Sequence, residues 1–562
     1  MALPDIWNGE PSFMFPARPI WIRGKQREKN VSMGLYTLLR DSNRTVLRIA
    51  ACSFYRVFVN GEFFFYGPSR CAHGFFRVDE LELPANKELH IAIEVVNYYI
   101  NTYEYPCQPG FVIAEITDGN QTLAATGNSS FSCLELVERK RKVQRYSCQR
   151  GFVESYELDR DYADWRIGKQ SLNARAAEIE ITEKKNLLPR IIPLNVFSDK
   201  PFLYFQSKGR FDSGIIPDDY YRHRSLLFAD DPKNGFLDGF HIDDLDCCLS
   251  DEVQRFKTVD YYRINEKAEE VFNISDGDFS IASLESEKTG FLCAKISCIQ
   301  PGNICFLFDE ILDNNGDVDP FRLECTNIIK LDLQAGDYNF QSVCPYGMKY
   351  LKIMAFGGLF AVSDLNIKEF VCPSVINNPY KPHDKKLNLI FNAAKETFLQ
   401  NSPDILMDCP TRERAGWLCD SYFSSIAEKF FTGSNIIEKN FLYNYLLPKE
   451  FDHIPCGMLP MCYPADHPSG RYIPNWSLWL IIELHSHLFE RGGEREFVLL
   501  FKDRVYKILD WFSQYENADG LLEKLPGWVF VEWSKANECT NDINYPTNML
   551  YYAALKIDCP NV

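Results

Sequence analysis

Short runs that alternate apolar and polar residues, separated by turn residues, fill the chain from about residue 18 to residue 165. One of these runs, residues 45–59, is rich in β-branched and aromatic side chains and is followed by Asn60-Gly61. Asn-Gly between two strand-like runs is a strong signal for a type I′ hairpin. The pattern predicts a β-sandwich over residues 1–170.

The next two segments differ in how regular this alternation is. Residues 171–267 are rich in Asp, Pro, Gly and aromatic residues without a steady period, and we interpret them as connecting strands and long loops. Alternating runs such as residues 290–298 then return. They predict a second β-sandwich over residues 268–375.

After Pro373 the hydrophobic period changes from two residues to about 3.6 residues, which indicates amphipathic helices. The loops between them are long, and residues 448–474 form the longest; such loops in a helical domain are usually functional. Residues 376–562 are therefore predicted to form a helical domain. Its six helices are expected near residues 386–401, 420–431, 434–447, 476–491, 494–515 and 547–557.

Composition narrows the classes of function. The chain has 562 residues, 46% of them apolar and 24% charged, which suits several well-packed globular domains. Its net charge of -17 argues against a nucleic-acid partner, because such partners depend on clustered Lys and Arg. The 19 cysteines show neither CxxC pairs nor zinc-site spacing, so we expect reduced, mostly buried thiols and no metal site.

The first residues and the apolar segments of the chain indicate the cellular compartment in which to expect the protein. The first residues have neither the basic region nor the apolar stretch of a secretory signal, and no later segment is long and apolar enough to span a membrane. We therefore expect a cytoplasmic protein without a membrane partner, or a secreted one if a leader has been removed. No cofactor is expected, and a homo-oligomer stays open.

The densest cluster of reactive side chains is the run DCPTRERAGWLCD at residues 408–420. Glycoside hydrolysis requires a carboxylic acid that protonates the departing oxygen, a second carboxylate, and polar and aromatic groups that hold the sugar ring. The run supplies most of this set, with three carboxylates, two arginines and a tryptophan. Pro410 and Gly416 place it in a loop before a new helix, and Trp417 and Asp420 are expected to share a face of that helix.

The pattern Asp-Cys-Pro-x-Arg-Glu-Arg-x-Gly-Trp-x-x-Asp resembles the catalytic signature of the α-L-rhamnosidases of glycoside hydrolase family 78. The resemblance implies β-sandwiches followed by an (α/α)6 barrel, and the hairpin at residues 54–68 resembles that of a jelly-roll domain found at the front of many sugar-cleaving enzymes. It also implies that Glu413 is the general acid. The other residues that it places in the catalytic site, where they hold the rhamnose, are Asp408, Arg412, Trp417 and Asp420.

A general acid must keep its proton near neutral pH, which requires like-charged neighbours or desolvation. Asp408 and Asp420 are expected to supply the like charge around Glu413, and the nearby indole the desolvation. Arg412 and Arg414 would oppose protonation if they faced Glu413. Because adjacent side chains of an extended loop diverge, we expect both arginines to bond elsewhere, to the two Asp residues or to sugar hydroxyls.

Two later loops extend the resemblance. Residues 472–479 resemble the loop of these barrels in which a Trp packs on the sugar, and residues 517–537 resemble the following loop. Aromatic rings stack on the apolar C–H faces of sugars, so Trp residues in exposed loops suit a sugar-binding wall. The substrate-binding residues expected in these loops are Asn475, Trp476, Glu532 and Trp533.

An (α/α)6 barrel has twelve helices, whereas the sequence predicts six. The resemblance therefore implies that about half of the barrel is present and that the chain is a fragment truncated at its C-terminus; a second chain that supplies the other half and a degenerate gene are the alternatives. The general base of the family, a Glu in the second half of the barrel, is then expected beyond residue 562. Glu532 is the alternative for that role.

The expected function is removal of terminal α-L-rhamnose from glycosides, oligosaccharides or polysaccharides by an inverting acid/base mechanism. Two alternatives stay open. One is a non-catalytic carbohydrate-binding protein or an inactive remnant that uses the same pocket. The other is a different (α/α)6 glycosidase, such as one that cleaves trehalose or maltose, although the run at residues 408–420 argues against it.

Overall fold

The structure, a computed structural model, describes residues 16–42, 44–214, 239–373, 380, 382–465, 470–535, 537, 540 and 542–557. Strands dominate up to residue 371, and helices follow. This order confirms the predicted succession of β-rich domains and a helical region.

Two sheets pack face to face in the N-terminal domain. Alternate side chains of each strand point between them, and Leu47 and Ile49 of one sheet and Ile91 and Ile93 of the other are fully buried there. With strands numbered in chain order, the first sheet consists of β13 (Ile179–Ile181), β1 (Ile20–Ile22), β8 (Phe111–Asp118), β3 (Thr45–Cys52), β6 (Phe75–Glu82) and β14 (Asn186–Pro189), with β9 (Gln121–Ala125) paired to β8. The second consists of β12 (Ala174–Ala176), β10 (Ser132–Leu136), β2 (Val31–Ser42), β7 (Asn86–Asn97), β4 (Phe54–Val59) and β5 (Glu62–Gly67).

The turn between β4 and β5 is the predicted hairpin. Asn60 and Gly61 have φ angles of 52° and 86°. Both are positive, as a type I′ turn requires, and Val59 pairs with Glu62 across the turn. The Asn-Gly prediction is confirmed.

A third sheet, of eleven strands, follows and wraps around its own core, in which Phe291, Phe306 and Ile353 are fully buried. Its longest strand belongs to both halves of the sheet, because residues 279–283 pair with β16 and β23 and residues 290–300 pair with β24. The strands are β11 (Glu154–Leu158), β15 (Val196–Pro201), β16 (Tyr204–Ser213), β17 (Phe256–Lys267), β18 (Val271–Ser275), β19 (Asp278–Gln300), β20 (Gly302–Asp309), β21 (Ile328–Leu333), β22 (Gly336–Gln341), β23 (Tyr346–Phe356) and β24 (Leu359–Val371).

Residues 171–267, predicted to connect the two β domains, are divided between their sheets. Strands β12 to β14 complete the first domain, whereas β15 to β17 belong to the eleven-stranded sheet. β11 precedes this segment, yet it pairs in parallel with β21, about 175 residues later. Alternation along a strand does not indicate which sheet the strand joins, so the sequence pattern could not make this division.

Helices occupy the C-terminal region, and one short helix, α1 (Leu249–Val253), lies among the strands. The long helix predicted over residues 494–515 is wrong as one element, because the N–H groups of Leu500 and Phe501 donate to carbonyls three residues back in a tight turn that separates two helices. None of the helices that the structure describes combines the length and apolarity needed to cross a membrane. The C-terminal helices are α2 (Lys385–Gln400), α3 (Asp420–Thr432), α4 (Ile436–Leu446), α5 (Pro474–Phe489), α6 (Arg495–Leu499), α7 (Lys502–Ser513) and α8 (Tyr545–Lys556).

Three buried carboxylates meet between α3, α4 and α5. Glu438 accepts hydrogen bonds from a ring nitrogen of His487 (2.7 Å) and from Arg491 Nε (3.2 Å). Glu428 accepts two backbone N–H groups at the start of α4, each at 2.8 Å. Burial, reinforced by the charge of Glu438, raises the pKa of Glu483 to about 8. The helical core therefore holds a proton that an unfolded chain releases at much lower pH.

This proton makes the stability of the helical region depend on pH. Between the ordinary pKa of a Glu and about pH 8, folded Glu483 keeps a proton that the unfolded chain has lost, so stability falls as pH rises through this window, by at most about 1.4 kcal/mol per pH unit. Glu483→Gln should flatten this fall. The measurement is the melting temperature at pH 5.5 and pH 8, with Glu496→Gln, an exposed carboxylate of α6, as the control. Equal pH sensitivity of the two variants would contradict the prediction.

Candidate active site

The signature run forms a tight loop that ends where α3 begins. The Asp408 N–H donates to the Ala415 carbonyl (2.9 Å), and the Ala415 N–H donates back to the Asp408 carboxylate (3.0 Å). Glycine is required at position 416, because a Cβ there would lie 2.4 Å from the Tyr463 carbonyl oxygen. One oxygen of Asp408 is thus used to close the loop.

The buried Glu413 carboxylate accepts three hydrogen bonds. Gln149 Nε2 and Arg412 Nη2 donate to Oε1 at 2.8 and 2.6 Å, and the Trp417 indole N–H donates to Oε2 at 2.7 Å. All three partners are donors. The carboxylate is therefore held at both oxygens, by two residues of its own loop and by Gln149 from the β-rich part of the chain.

The prediction that both flanking arginines bond away from Glu413 is wrong for Arg412. Residues 410–413 form a turn, so adjacent side chains converge where an extended loop would separate them. The prediction is confirmed for Arg414, whose guanidinium donates to Glu104 (2.9 Å) and to the Pro410 carbonyl (3.1 Å). Its backbone has a φ of 54°, which turns the chain at this point.

Trp417 and Asp420 do not share a helix face as predicted. The helix begins only at Asp420, while Trp417 lies before it and forms an isolated bridge with Cys462. The Trp417 indole contributes a hydrogen bond to Glu413 in addition to covering it.

The pKa values of Asp408 and Asp420, the two aspartates next to Glu413, are raised. Burial, reinforced by the charge of Glu413, raises the pKa of Asp408 to about 7. Burial also raises the pKa of Asp420 to about 6, again with a contribution from Glu413. The like-charge effect seen here acts on the two aspartates, and the predicted effect on Glu413 stays a prediction. Their carboxyl groups hold protons close to neutral pH.

These side chains line one open cavity of about 490 Å³. Aromatic rings from α5 and from the loop at residues 517–537 form its wall. Trp533 of the loop is 82% exposed, whereas Trp476 lies in the first turn of α5, not in an exposed loop as predicted, is 6% exposed and packs edge-on against Phe530. The ring centroids of Phe530 and Trp533 are 4.9 Å apart. The lining residues are Asp408, Arg412, Glu413, Trp417, Cys419, Asp420, Phe423, Ile473, Trp476, Trp528, Phe530, Val531, Glu532 and Trp533.

The cavity brings together every residue predicted for the site except Asn475. The Asn475 side chain is buried and donates to Thr547 Oγ1 of α8 at 2.6 Å. Trp528 and Phe530 belong to the loop that sequence reasoning selected, and their aromatic character could have singled them out. Gln149 could not have been found, because it is an isolated polar residue 264 positions from Glu413.

A buried ion cluster holds the loop against both β domains. Glu104 lies between Arg150 and Arg414, with N···O distances of 3.2 and 2.9 Å, and all three side chains are almost completely buried. Burial alone would raise the pKa of Glu104, but the arginine charges hold it below its ordinary value. Arg150 also donates to the carbonyls of Pro345 (3.2 Å) and Thr411 (2.9 Å). The cluster therefore bridges the N-terminal domain, the eleven-stranded sheet and the loop.

A second ion pair fixes the segment that leads into the loop. Arg70, from the N-terminal domain, pairs with Asp404 at 2.5 Å and donates to the Arg414 carbonyl at 2.6 Å. Over the part of the chain that the structure describes, no group of three His, Cys, Asp or Glu side chains could hold a metal ion. The cavity presents carboxylates, one guanidinium, the Cys419 thiol and aromatic rings.

The family model of the bacterial alpha-L-rhamnosidase 6 hairpin glycosidase domain matches residues 380–557. The helical region of the chain is thus similar to this domain family. The resemblance seen in the signature run is thereby confirmed. A comparison with curated proteins finds no match.

Solved rhamnosidase structures share the fold well beyond this six-hairpin domain. The GH78 family rhamnosidase of Bacillus sp. GL1 aligns with a TM-score of 0.74 at 16% identity, covering 97% of this chain and 74% of its own. The α-L-rhamnosidase of Aspergillus terreus aligns with a TM-score of 0.61 at 13% identity over 96% of this chain and 58% of its own. That of Streptomyces avermitilis, solved with L-rhamnose, has a TM-score of 0.57 at 12% identity over 94% of this chain and 48% of its own. The chain thus spans about half the length of the latter two.

Removing the charge of Glu104 should loosen the junction between the six-hairpin domain and the β domains. Glu104→Gln leaves two buried arginines without their counter-charge, and breaking such a buried pair costs about 3–5 kcal/mol. The free energy of unfolding should fall accordingly in urea titrations. The control is Glu135→Gln, which removes the partner of Lys25 in a half-buried pair and should cost less than about 1 kcal/mol. Similar losses in both variants would argue against the anchoring role of Glu104.

Proposed function

We propose that this chain forms the rhamnose-binding pocket and the proton-donating part of an inverting α-L-rhamnosidase. The observation that carries the proposal is the convergence of Asp408, Glu413 and Asp420 with Arg412 in a single cavity walled by aromatic rings. The match to the rhamnosidase six-hairpin domain supports the reaction class. The proposed substrates are glycosides, oligosaccharides or polysaccharides that end in α-L-rhamnose, and one structural relative was solved with L-rhamnose.

The helical region is proposed to form part of an (α/α)6 barrel. Exposed apolar side chains on α3 and α8, of the kind that helix packing buries, support this. On α3 they are Phe423, Ile426 and Phe430, and on α8 they are Tyr545, Met549, Tyr552 and Leu555.

Glu413 is proposed as the general acid, although it is bonded only to donors before substrate binds. The Arg412 side chain is 40% exposed and borders the cavity, so it can donate to a sugar hydroxyl in place of Glu413. Glu413 would then lose one charge-assisted hydrogen bond, and we propose Asp408, whose pKa burial raises to about 7, as the neighbouring carboxyl that supplies its proton. Substrate binding would thus move the proton to the carboxyl that faces the glycosidic oxygen.

The remaining groups are assigned to holding the sugar. Asp408 and Asp420 would accept hydroxyl hydrogens once ionised, and Trp417, Trp476 and Trp533 would cover its C–H faces. Glu532 lines the same cavity and is proposed to bind a hydroxyl. Inversion requires a water-activating carboxylate about 6.5–9.5 Å from the acid, and we assign that role to none of the described residues.

Removing the acid should separate catalysis from binding. Glu413→Gln should lower kcat/KM on methyl α-L-rhamnoside by about 10²–10⁴-fold, because this poor leaving group needs protonation. The loss on 4-nitrophenyl α-L-rhamnoside should be smaller, and calorimetric rhamnose affinity should be retained.

The control for this test is Glu532→Gln, which should raise KM and leave kcat close to wild type. Rhamnose binding without any turnover by the unmodified protein would favour the carbohydrate-binding alternative. Unchanged hydrolysis by Glu413→Gln would exclude Glu413 as the acid.

The pH profile should report the proton held next to Glu413. Activity requires that proton, so kcat/KM should fall tenfold per pH unit above about pH 7, where Asp408 loses it. The charge of Asp420 contributes to the raised pKa of Asp408. Asp420→Asn should therefore move the alkaline limb to lower pH, in addition to weakening sugar binding. An alkaline limb that stays in place would disconnect these carboxylates from the essential proton.

A further inference from the structure

A second cleft, distinct from the candidate active site, lies where the two β domains meet. It has a volume of about 530 Å³, within the range of small-molecule sites. The β4–β5 hairpin of the N-terminal domain forms one side, and β19, β22 and β24 of the eleven-stranded sheet form the other. No residue of this cleft belongs to the cavity around Glu413.

Arg166 is the residue that points to a ligand. It lines the cleft yet is only 8% exposed, and its guanidinium carbon lies 4.0 Å from the ring centroid of Phe58 and 5.6 Å from that of Tyr162. Stacking fixes the guanidinium plane but does not satisfy its N–H donors. Nε is buried without a hydrogen-bond partner within the described structure. The charge of the buried Glu138 carboxylate acts on this guanidinium but leaves Nε without a hydrogen bond, so an anion in the cleft would complete its contacts.

The other cations of the cleft already have partners. Lys295 pairs with Asp364 at 2.7 Å, and Lys368 pairs with Asp199 at 2.5 Å. Arg166 is therefore the group in this cleft that is suited to an incoming anion. Its planar fork matches a carboxylate through two parallel hydrogen bonds.

Two amide side chains supply the neutral part of the recognition. Gln341 Nε2 is a buried donor and Asn366 Oδ1 is a buried acceptor, and neither has a hydrogen-bond partner among the described residues. The amide nitrogen of Asn366 is held by the Asp364 carbonyl at 2.7 Å, which fixes its orientation. A sugar hydroxyl both donates and accepts, so adjacent hydroxyls of one ring satisfy both amides. Phe63, which also lines the cleft, offers an aromatic ring to the C–H face of a sugar.

We propose that this cleft is a second saccharide-binding site, which holds an acidic sugar with its carboxylate on Arg166 and its hydroxyls on Gln341 and Asn366. The proposal goes beyond hydrolysis of a terminal rhamnose, since binding here requires no turnover. It implies that the protein recognises chains that contain uronic acid.

The test is calorimetric titration of the full chain, in phosphate-free buffer, with trigalacturonic acid and with its carboxyl-reduced neutral counterpart. We expect the acid to bind at least tenfold more tightly than the neutral trisaccharide. Arg166→Met, which keeps the packing on Phe58 and removes the charge, should weaken binding at least tenfold. Asn366→Asp, which adds a negative charge on a surface strand, should weaken it similarly and decides the matter if Arg166→Met does not fold.

Matched controls separate this site from others. Lys295→Met removes a cation of the same cleft that is already paired, and should change the affinity less than threefold. Trp533→Ala, in the other cavity, should leave it unchanged. Equal affinity for the acidic and neutral trisaccharides, inorganic phosphate binding as tightly as the acid, no binding of the acid, or full binding by Asn366→Asp would each overturn the proposal.

Discussion

The carboxylate of Glu104 joins the three parts of this protein: the N-terminal domain, the eleven-stranded sheet and the loop at residues 408–420. It lies between Arg150 and Arg414, and Arg150 reaches on to the carbonyls of Pro345 and Thr411. Buried ion pairs add little net stability, because desolvation offsets the attraction, but separating the two charges of a buried pair is strongly destabilising. The cluster therefore fixes geometry more than it adds free energy. It sets the loop at residues 408–420 at one position relative to both β domains.

Local features of the sequence predict local structure well here. The Asn60-Gly61 turn and the change of period after Pro373 each depend on neighbours within a few residues, and both have the expected outcome. Contacts between distant segments have no such signature. The parallel pairing of β11 with β21 and the bond from Gln149 to Glu413 connect residues about 175 and 264 positions apart. Both follow from how whole domains pack, which alternation and motif spacing do not encode.

The wrong expectation for Arg412 has a different cause. The prediction assumes an extended backbone in this loop, in which neighbouring side chains point apart. Residues 410–413 instead form a turn, which brings the Arg412 guanidinium onto the Glu413 carboxylate. The consequence is electrostatic. Glu413 gains a cation, and the raised pKa values fall on Asp408 and Asp420. The charge of Glu413 contributes to both of these raised pKa values, so the titration of the two aspartates depends on their neighbour as well as on their burial.

Residues outside the helical region also belong to the candidate site. Gln149 donates directly to Glu413, and Arg150, its neighbour in sequence, holds the Thr411 carbonyl of the same loop. The matched six-hairpin domain, residues 380–557, contains neither residue. Without them Glu413 would lose one of its three donors and the loop one of its anchors. The unit that holds the candidate acid in place is therefore larger than the helical domain, and buried ion pairs fix the β domains to it.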